Sequence, residues 1–118
     1  FGQGKIVFFA GGTGHPYFST DTAAVLRAVE IEADGILLAK AVDGVYDSDP
    51  KVNPDAKRYD RISIEDVIAD KLSVVDMTAS IMARENKMPM WVFALNEENS
   101  IVNTVKGKFN GTKVTVSK

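Results

Sequence analysis

Gly11-Gly12-Thr13-Gly14-His15-Pro16-Tyr17-Phe18-Ser19-Thr20-Asp21 is the stretch on which the reading of this 118-residue chain turns. An apolar run, Ile6-Val7-Phe8-Phe9-Ala10, leads into it, and a helical pattern from Thr22 to Ala33 leads out. Strand, glycine-rich turn, hydroxyl cluster and helix start together offer backbone N–H groups and a positive helix end to an anion. Gly11, Gly12 and Gly14 permit positive φ and leave room beside the backbone. Thr13, Ser19 and Thr20 carry hydroxyls suited to phosphate oxygens, and Tyr17 and Phe18 offer an apolar wall. Thr20 or Asp21 is the expected helix N-cap. The pattern fits neither G-x-x-x-x-G-K-[ST] nor G-x-G-x-x-G. On spacing alone, a phosphate cradle and a plain strand-to-helix turn both account for it.

Outward from this turn the chain reads as alternating strands and helices. Lys5 to Ala10 is apolar on both faces, which predicts a central parallel strand. Thr22, Val25, Leu26, Val29 and Ala33 fall on one helix face. Gly35 to Ala39 reads as a second buried strand, joined to the first by a right-handed crossover. Lys40 to Arg61 is a long connection rich in Asp, Pro, Gly and Asn, of a length that is usually functional or disordered. Its carboxylates Asp43, Asp47 and Asp49 do not have the glycine and closing Glu of a calcium loop. Tyr59 to Ile62 is a candidate short edge strand. Ser63-Ile64-Glu65-Asp66 resembles a capping box opening a helix to about Lys71. Asp76 is placed to cap a helix from Met77 to about Lys87, with Ala79, Met82, Ala83 and Asn86 inward; Pro89 stops it. Met90 to Leu95 is a third buried strand. A short helix capped by Asn99 or Ser100 ends at Gly107, Asn110-Gly111 signals a turn, and Thr112 to Ser117 is a last strand. Met82, Met88, Met90, Trp91 and Phe93 read as core, and Lys106, Lys108 and Lys113 as solvated surface. The expected fold class is α/β: a three-layer α-β-α arrangement around a mainly parallel sheet.

Composition sets the outer limits. The length suits one domain able to bury about two thirds of its unfolded surface. A net charge of −2 gives no sign of a nucleic-acid partner. The absence of cysteine excludes disulfides and thiolate chemistry. No apolar run is long enough to span a membrane and no signal peptide is visible, so the expected location is cytoplasmic. The chain begins on Phe1 just ahead of an expected core strand, which reads as a fragment.

The opening stretch and three further ones carry a resemblance. Gly12 to Asp21 is similar to the G-T-G-N-P-F/Y-F-S/T-T-D segment of bacterial uridylate (UMP) kinases, in the amino-acid kinase superfamily. Val42-Asp43-Gly44-Val45-Tyr46-Asp47-Ser48-Asp49-Pro50 resembles their V-D-G-V-Y/F-x-x-D-P loop, and Val74-Val75-Asp76 their V-M-D segment. The helix Ala23 to Asp34 resembles the family's next helix. The likeness covers nearly the whole chain, but only the C-terminal, ATP-side half of such an enzyme, so residues 1–118 are read as that half.

The resemblance implies a phosphotransferase that makes ADP and UDP from ATP and UMP with Mg²⁺, in pyrimidine nucleotide biosynthesis. Thr13, Gly14, His15, Pro16, Tyr17, Phe18, Ser19 and Thr20 would bind UMP. Asp21 and Asp76 would act near the transferring phosphoryl group, although each also serves as an ordinary cap. Lys40, Tyr46 and Asp49 would contact ATP. No residue is assigned as a metal ligand. His15 stands where the family usually has Asn, and Lys40 where it often has Thr or Asn. The family's homohexamer, with GTP and UTP as effectors, is implied for the complete protein, with no nucleic-acid or membrane partner. Since the family's other nucleotide-contacting segments lie upstream, the chain alone is expected to be inactive and to expose an apolar patch. Two other readings stay open: a relative that phosphorylates a carboxylate or carbamate, and a non-catalytic nucleotide-binding or storage protein on the same scaffold.

Overall fold

Four strands and four helices make up the computed structural model, which describes residues 4–72 and 75–116. In chain order they are α1 (Thr20–Glu30), β1 (Ile36–Lys40), β2 (Arg61–Ser63), α2 (Ile64–Ala69), α3 (Met77–Glu85), β3 (Met90–Ala94), α4 (Ser100–Val105) and β4 (Gly111–Thr115). The sheet order is β1-β3-β4-β2. β1 runs parallel to β3, with Ile36 opposite Met90 and Lys40 opposite Ala94. β3 and β4 are antiparallel, and β4 and β2 parallel. The α/β class read from the sequence is therefore the one observed, in a mixed sheet with two of three pairings parallel.

Register explains the core. Ile36, Leu38, Met90, Val92, Val114 and Ile62 share one face and are buried against Val25 and Ala28 of α1, Ile64 and Val67 of α2, and Ala79 and Ala83 of α3. α3 packs against both α1 and α2. On the other face the side chains at the next register position are Leu37, Trp91 and Lys113, with the Lys113 ammonium 5.2 Å from the Trp91 ring centroid. Lys113 is thus half-buried over an aromatic face rather than freely solvated. Met88, Met90 and Phe93 are buried as expected.

The main departure is at the start. Lys5 to Ala10 forms no strand, and Ile6 and Phe8 are 87% and 92% exposed. A strand apolar on both faces needs a hydrogen-bonded neighbour and a covering layer on each side. Among the described residues β1 is the edge of the sheet, and nothing pairs with its outer side. The expected crossover from that run into β1 is therefore not formed.

Helix boundaries differ for local reasons. α1 is capped by Ser19, whose hydroxyl accepts from the Thr22 N–H at 3.2 Å, so Thr20 and Asp21 lie inside the first turn. The helix stops at Glu30, because Glu32 turns left-handed at φ 56°. Its buried residues are Thr22, Ala23, Val25 and Ala28; Leu26 and Val29 are half-buried. Ser63 caps α2 by accepting from the Asp66 N–H at 3.2 Å, as the capping pattern predicts. Asp76 caps α3 through the Ala79 N–H at 2.8 Å. Asn86 lies outside the core. Asn99, in the left-handed region, precedes α4 without a side-chain cap. Val74 and Ser117 lie outside the described residues.

Candidate functional site

Topology brings two helix N-termini to one end of the sheet. α1 is followed by β1 and α3 by β3, so each helix starts where its strand ends. Because β1 and β3 are adjacent and parallel, both helix starts lie at the carboxyl ends of these strands. That edge is where open α/β sheets hold their ligands, and two positive helix ends there favour anions.

Asp21, in the first turn of α1, and Asp76, the cap of α3, meet at this edge. Asp21 Oδ2 accepts from the Asp76 backbone N–H at 3.4 Å. Asp76 Oδ1 accepts from the Ala79 N–H at 2.8 Å and from the Thr22 hydroxyl at 3.3 Å. The Ser19 hydroxyl donates to Asp76 Oδ2. Lys40, the last residue of β1, places Nζ 2.5 Å from Asp21 Oδ1. Both side chains of that pair are about four-fifths buried, at 23% and 18% exposure, so the attraction is screened less than at the surface. The candidate catalytic residues are thus brought together, with Lys40 as their cation. Thr22, which the sequence pattern assigns to an apolar helix face, belongs to the cluster. A Thr among apolar neighbours at helical spacing gives no sign of which polar atom it will meet.

Lys40 also stands on the rim of a cavity of about 470 Å³ lined by Val42, Val45, Tyr46, Asp49 and Leu72, among others. The three candidate ATP contacts therefore share one cavity. The connection around it is ordered by hydrogen bonds rather than by long strands. Tyr46 bridges antiparallel to Arg58, the Tyr59 N–H donates to Val45 O at 2.8 Å, and the Asp47 N–H to Lys57 O at 3.0 Å. Fully buried Thr112 of β4 accepts from the Val45 N–H at 2.9 Å and donates to Tyr59 O, joining both limbs of the loop to the sheet. Asp49 Oδ1 accepts from the Lys51 N–H at 2.9 Å, so it opens the turn at Pro50 while lining the cavity. The Tyr46 hydroxyl donates to Asp43 Oδ1 at 2.6 Å. That hydrogen bond, with burial and the Asp43 charge, raises the Tyr46 pKa above its usual value of 10.0, against the nearby Arg58 charge.

The glycine-rich stretch is a separate, exposed turn. Gly11, Gly12 and Gly14 have φ of 93°, 61° and 77°, as their sequence predicts. The Gly14 N–H donates to Gly11 O at 3.2 Å, the His15 N–H to Thr13 Oγ1 at 3.1 Å, and Arg27 Nη2 to Gly12 O at 3.1 Å. Tyr17 has φ 69° and a fully exposed ring, and Phe18 is half-exposed. Thr13 to Phe18 do not enter the carboxylate cluster; Ser19 joins it through Asp76. Among the described residues no three acidic or imidazole groups converge as a metal site, and no helix is long and apolar enough to cross a membrane.

The fold thus places two helix starts, each bearing an aspartate, at the carboxyl edge of a mixed sheet. The sequence profile of the amino acid kinase family matches residues 1–94, and the chain belongs to that family. A uridylate kinase of Mycoplasmopsis synoviae (strain 53) is 53% identical over 114 residues, which are 96% of this chain and 48% of that protein. The crystal structure of UMP kinase from Bacillus anthracis matches with a TM-score of 0.82 and 38% identity, over 88% of this chain and 43% of that one. That of UMP kinase from Ureaplasma parvum matches at 0.78 and 44%, over 91% and 45%. The chain spans about half the length of the curated relatives it matches.

Proposed function

We propose that this chain is the C-terminal, ATP-side half of a UMP kinase, a cytoplasmic enzyme that transfers the γ-phosphoryl group of ATP to UMP and yields ADP and UDP. One observation carries the reading: Lys40 is shared between the Asp21–Asp76 cluster and the cavity lined by Tyr46 and Asp49. A cation at that junction suits a triphosphate whose base lies in the cavity and whose γ-phosphate reaches the helix starts. Tyr46 then packs on the adenine, and Asp49 accepts from the base or ribose.

In the reaction a UMP phosphate oxygen bonds to the γ-phosphorus while the bond to the β-bridging oxygen breaks. The attacking oxygen is already ionised, so no side chain is needed as base. The protein's work is alignment and charge compensation. Asp21 fixes the Lys40 ammonium, and Asp76 holds the start of α3 through its cap. Thr13 to Thr20 supply amides and hydroxyls for UMP, and the positive φ of the glycines and of Tyr17 fits a turn shaped for a ligand. Mg²⁺ brought by the nucleotide would be held chiefly by phosphate oxygens; the oxygens of Asp21 and Asp76 already meet Lys40, the Asp76 and Ala79 N–H groups, Thr22 and Ser19. Bound to the nucleotide, Mg²⁺ would offset charge on the phosphates. A homohexamer with GTP and UTP as effectors completes the proposal for the full-length protein.

The test is coupled UDP formation by the full-length protein carrying these residues, with UMP, aspartate and glutamate derivatives compared as acceptors. UMP is expected to be the sole efficient acceptor, and Asp21→Asn to lower kcat on the order of 10²-fold, the scale of one lost electrostatic contact at a reacting phosphoryl group. Phosphorylation of a carboxylate instead, or nucleotide binding without UDP, overturns the assignment.

A further inference from the structure

We propose that Arg58 is a positioning residue for the nucleotide: it sets the aromatic wall of the cavity by acting through Asp43 on Tyr46, without lining the cavity itself. This rests on the reading of that cavity as the ATP site. Arg58 Nη1 donates to Asp43 Oδ2 at 3.1 Å and to Asp43 O at 3.4 Å. Tyr46 donates to the other carboxylate oxygen, Oδ1, at 2.6 Å. One carboxylate is therefore divided between a guanidinium and a phenol, and turning it would move the ring. Arg58 Nη2 donates to Asn110 Oδ1 at 2.9 Å, in the residue just before β4. The guanidinium thereby ties the loop to the sheet at the point from which Tyr46 is aimed. The planar guanidinium holds its donors to these acceptors in one fixed geometry, which an ammonium on a flexible stem does not reproduce.

Gly44 shows how closely the Arg58 stem lies across the loop. A Cβ there would come within 2.8 Å of Arg58 Cδ and 2.6 Å of Thr112 Oγ1. Neither Arg58 nor Asp43 reaches the Asp21–Asp76 cluster through any hydrogen bond described above. Their side chains are 26% and 38% exposed, so the pair adds little to folding stability. Its effect falls on the order of the Tyr46 ring before ATP arrives, which is a cost of binding.

The experiment compares wild type, Arg58→Met, Arg58→Lys, Tyr46→Phe and the Arg58→Met/Tyr46→Phe double variant in the full-length protein. ADP affinity is measured by calorimetry and UDP formation by steady-state kinetics, with thermal unfolding as a control on folding. Arg58→Met is expected to raise the ADP Kd and the ATP KM about five- to tenfold, the scale of one charge-assisted hydrogen bond acting indirectly. The kcat and the KM for UMP should stay within about twofold, because the reacting end is untouched. Arg58→Lys should recover part of the loss, and Tyr46→Phe should add little to Arg58→Met. Unchanged ADP and ATP binding in Arg58→Met with UDP still formed overturns the proposal and leaves the kinase assignment standing. Additive effects of the two substitutions also overturn it. Wild type that binds ADP and forms no UDP, with binding weakened in Arg58→Met, sinks the kinase assignment and supports the role of Arg58. No ADP binding by wild type overturns both. Should Arg58→Met not fold, Arg58→Lys decides by the same ADP measurement.

Discussion

Asp76 shows how one carboxylate can cap its own helix and tie it to a neighbouring one. Its carboxylate caps α3 and is also bonded to Thr22 and Ser19 of the neighbouring helix start. Its cap role was legible in Asp76-Met77-Thr78-Ala79, because a carboxylate before a helical run has an orphan N–H to meet. Its contacts with α1 were not, since they depend on how two helices approach. The same limit explains why Ser19, rather than Thr20 or Asp21, caps α1: three consecutive capping residues differ too little in intrinsic preference for sequence to choose. Tyr46 allows a prediction at this scale. Its pKa is raised in the folded state chiefly by its hydrogen bond to Asp43. The neutral phenol is therefore favoured by folding, and the stability tied to it is complete below the unfolded value of about 10. It falls as pH rises from there through the folded value. Chemical denaturation of wild type and Tyr46→Phe should give parallel stabilities from pH 7 to 9.5. Above pH 10 the wild type should decline more steeply. Identical slopes there would remove Asp43 as the cause.

At the scale of elements, the informative contrast is between the first apolar run and the loop of 41–60. Lys5 to Ala10 reads as a central strand because it is apolar on both faces, yet a strand is a property of its neighbours and this run forms none. The loop had no periodicity, yet it is well organised, because its bonds run from backbone to side chains such as Thr112, Asp47 and Asp49. The candidate ATP residues were readable there through a motif, while the residues that hold the motif in place, Thr112 and Arg58, carry no signature. Thr112→Val tests this directly. Removing the hydroxyl leaves the Val45 N–H and Tyr59 carbonyl without their present partner, so the cost should be about 1–3 kcal/mol. Urea unfolding gives the stability. Hydrogen exchange should show Asp47 and Tyr59 amides losing protection before those of β3. A loss spread evenly over the sheet would mean that Thr112 matters only as core volume. By contrast, Ser19→Ala should cost about 1 kcal/mol, as for an ordinary N-cap, and speed exchange at Thr22. Because Ser19 also donates to Asp76, the start of α3 should loosen with it, and exchange at Ala79 reports that.

For the whole molecule, two faces of α1 have different surroundings. The face bearing Asp21 and Thr22 meets Lys40 and Asp76, whereas its flank forms, with Val7, Phe8, Phe9, Ile31 and Leu37, the wall of an open apolar cavity of about 530 Å³. Ile6, Val7, Phe8, Phe9, Ile31 and Leu37 are all more than a third exposed, and apolar area left in water at this density favours association. Exposed apolar side chains are thus gathered at this flank. The 118-residue chain by itself should therefore associate with rising concentration, and the association should weaken when Phe8 is made polar. Phe8 is 92% exposed and outside the core, so Phe8→Ser should leave the unfolding midpoint within about 1–2 °C, as for surface changes generally. Sedimentation velocity across a hundredfold concentration range separates the possibilities. A shift toward smaller species in Phe8→Ser at unchanged stability assigns the contact to this flank. Equal association by both proteins would place it elsewhere, with the exposed face of α4, where Ile101, Val102 and Val105 lie 50% or more exposed, as the next surface to alter.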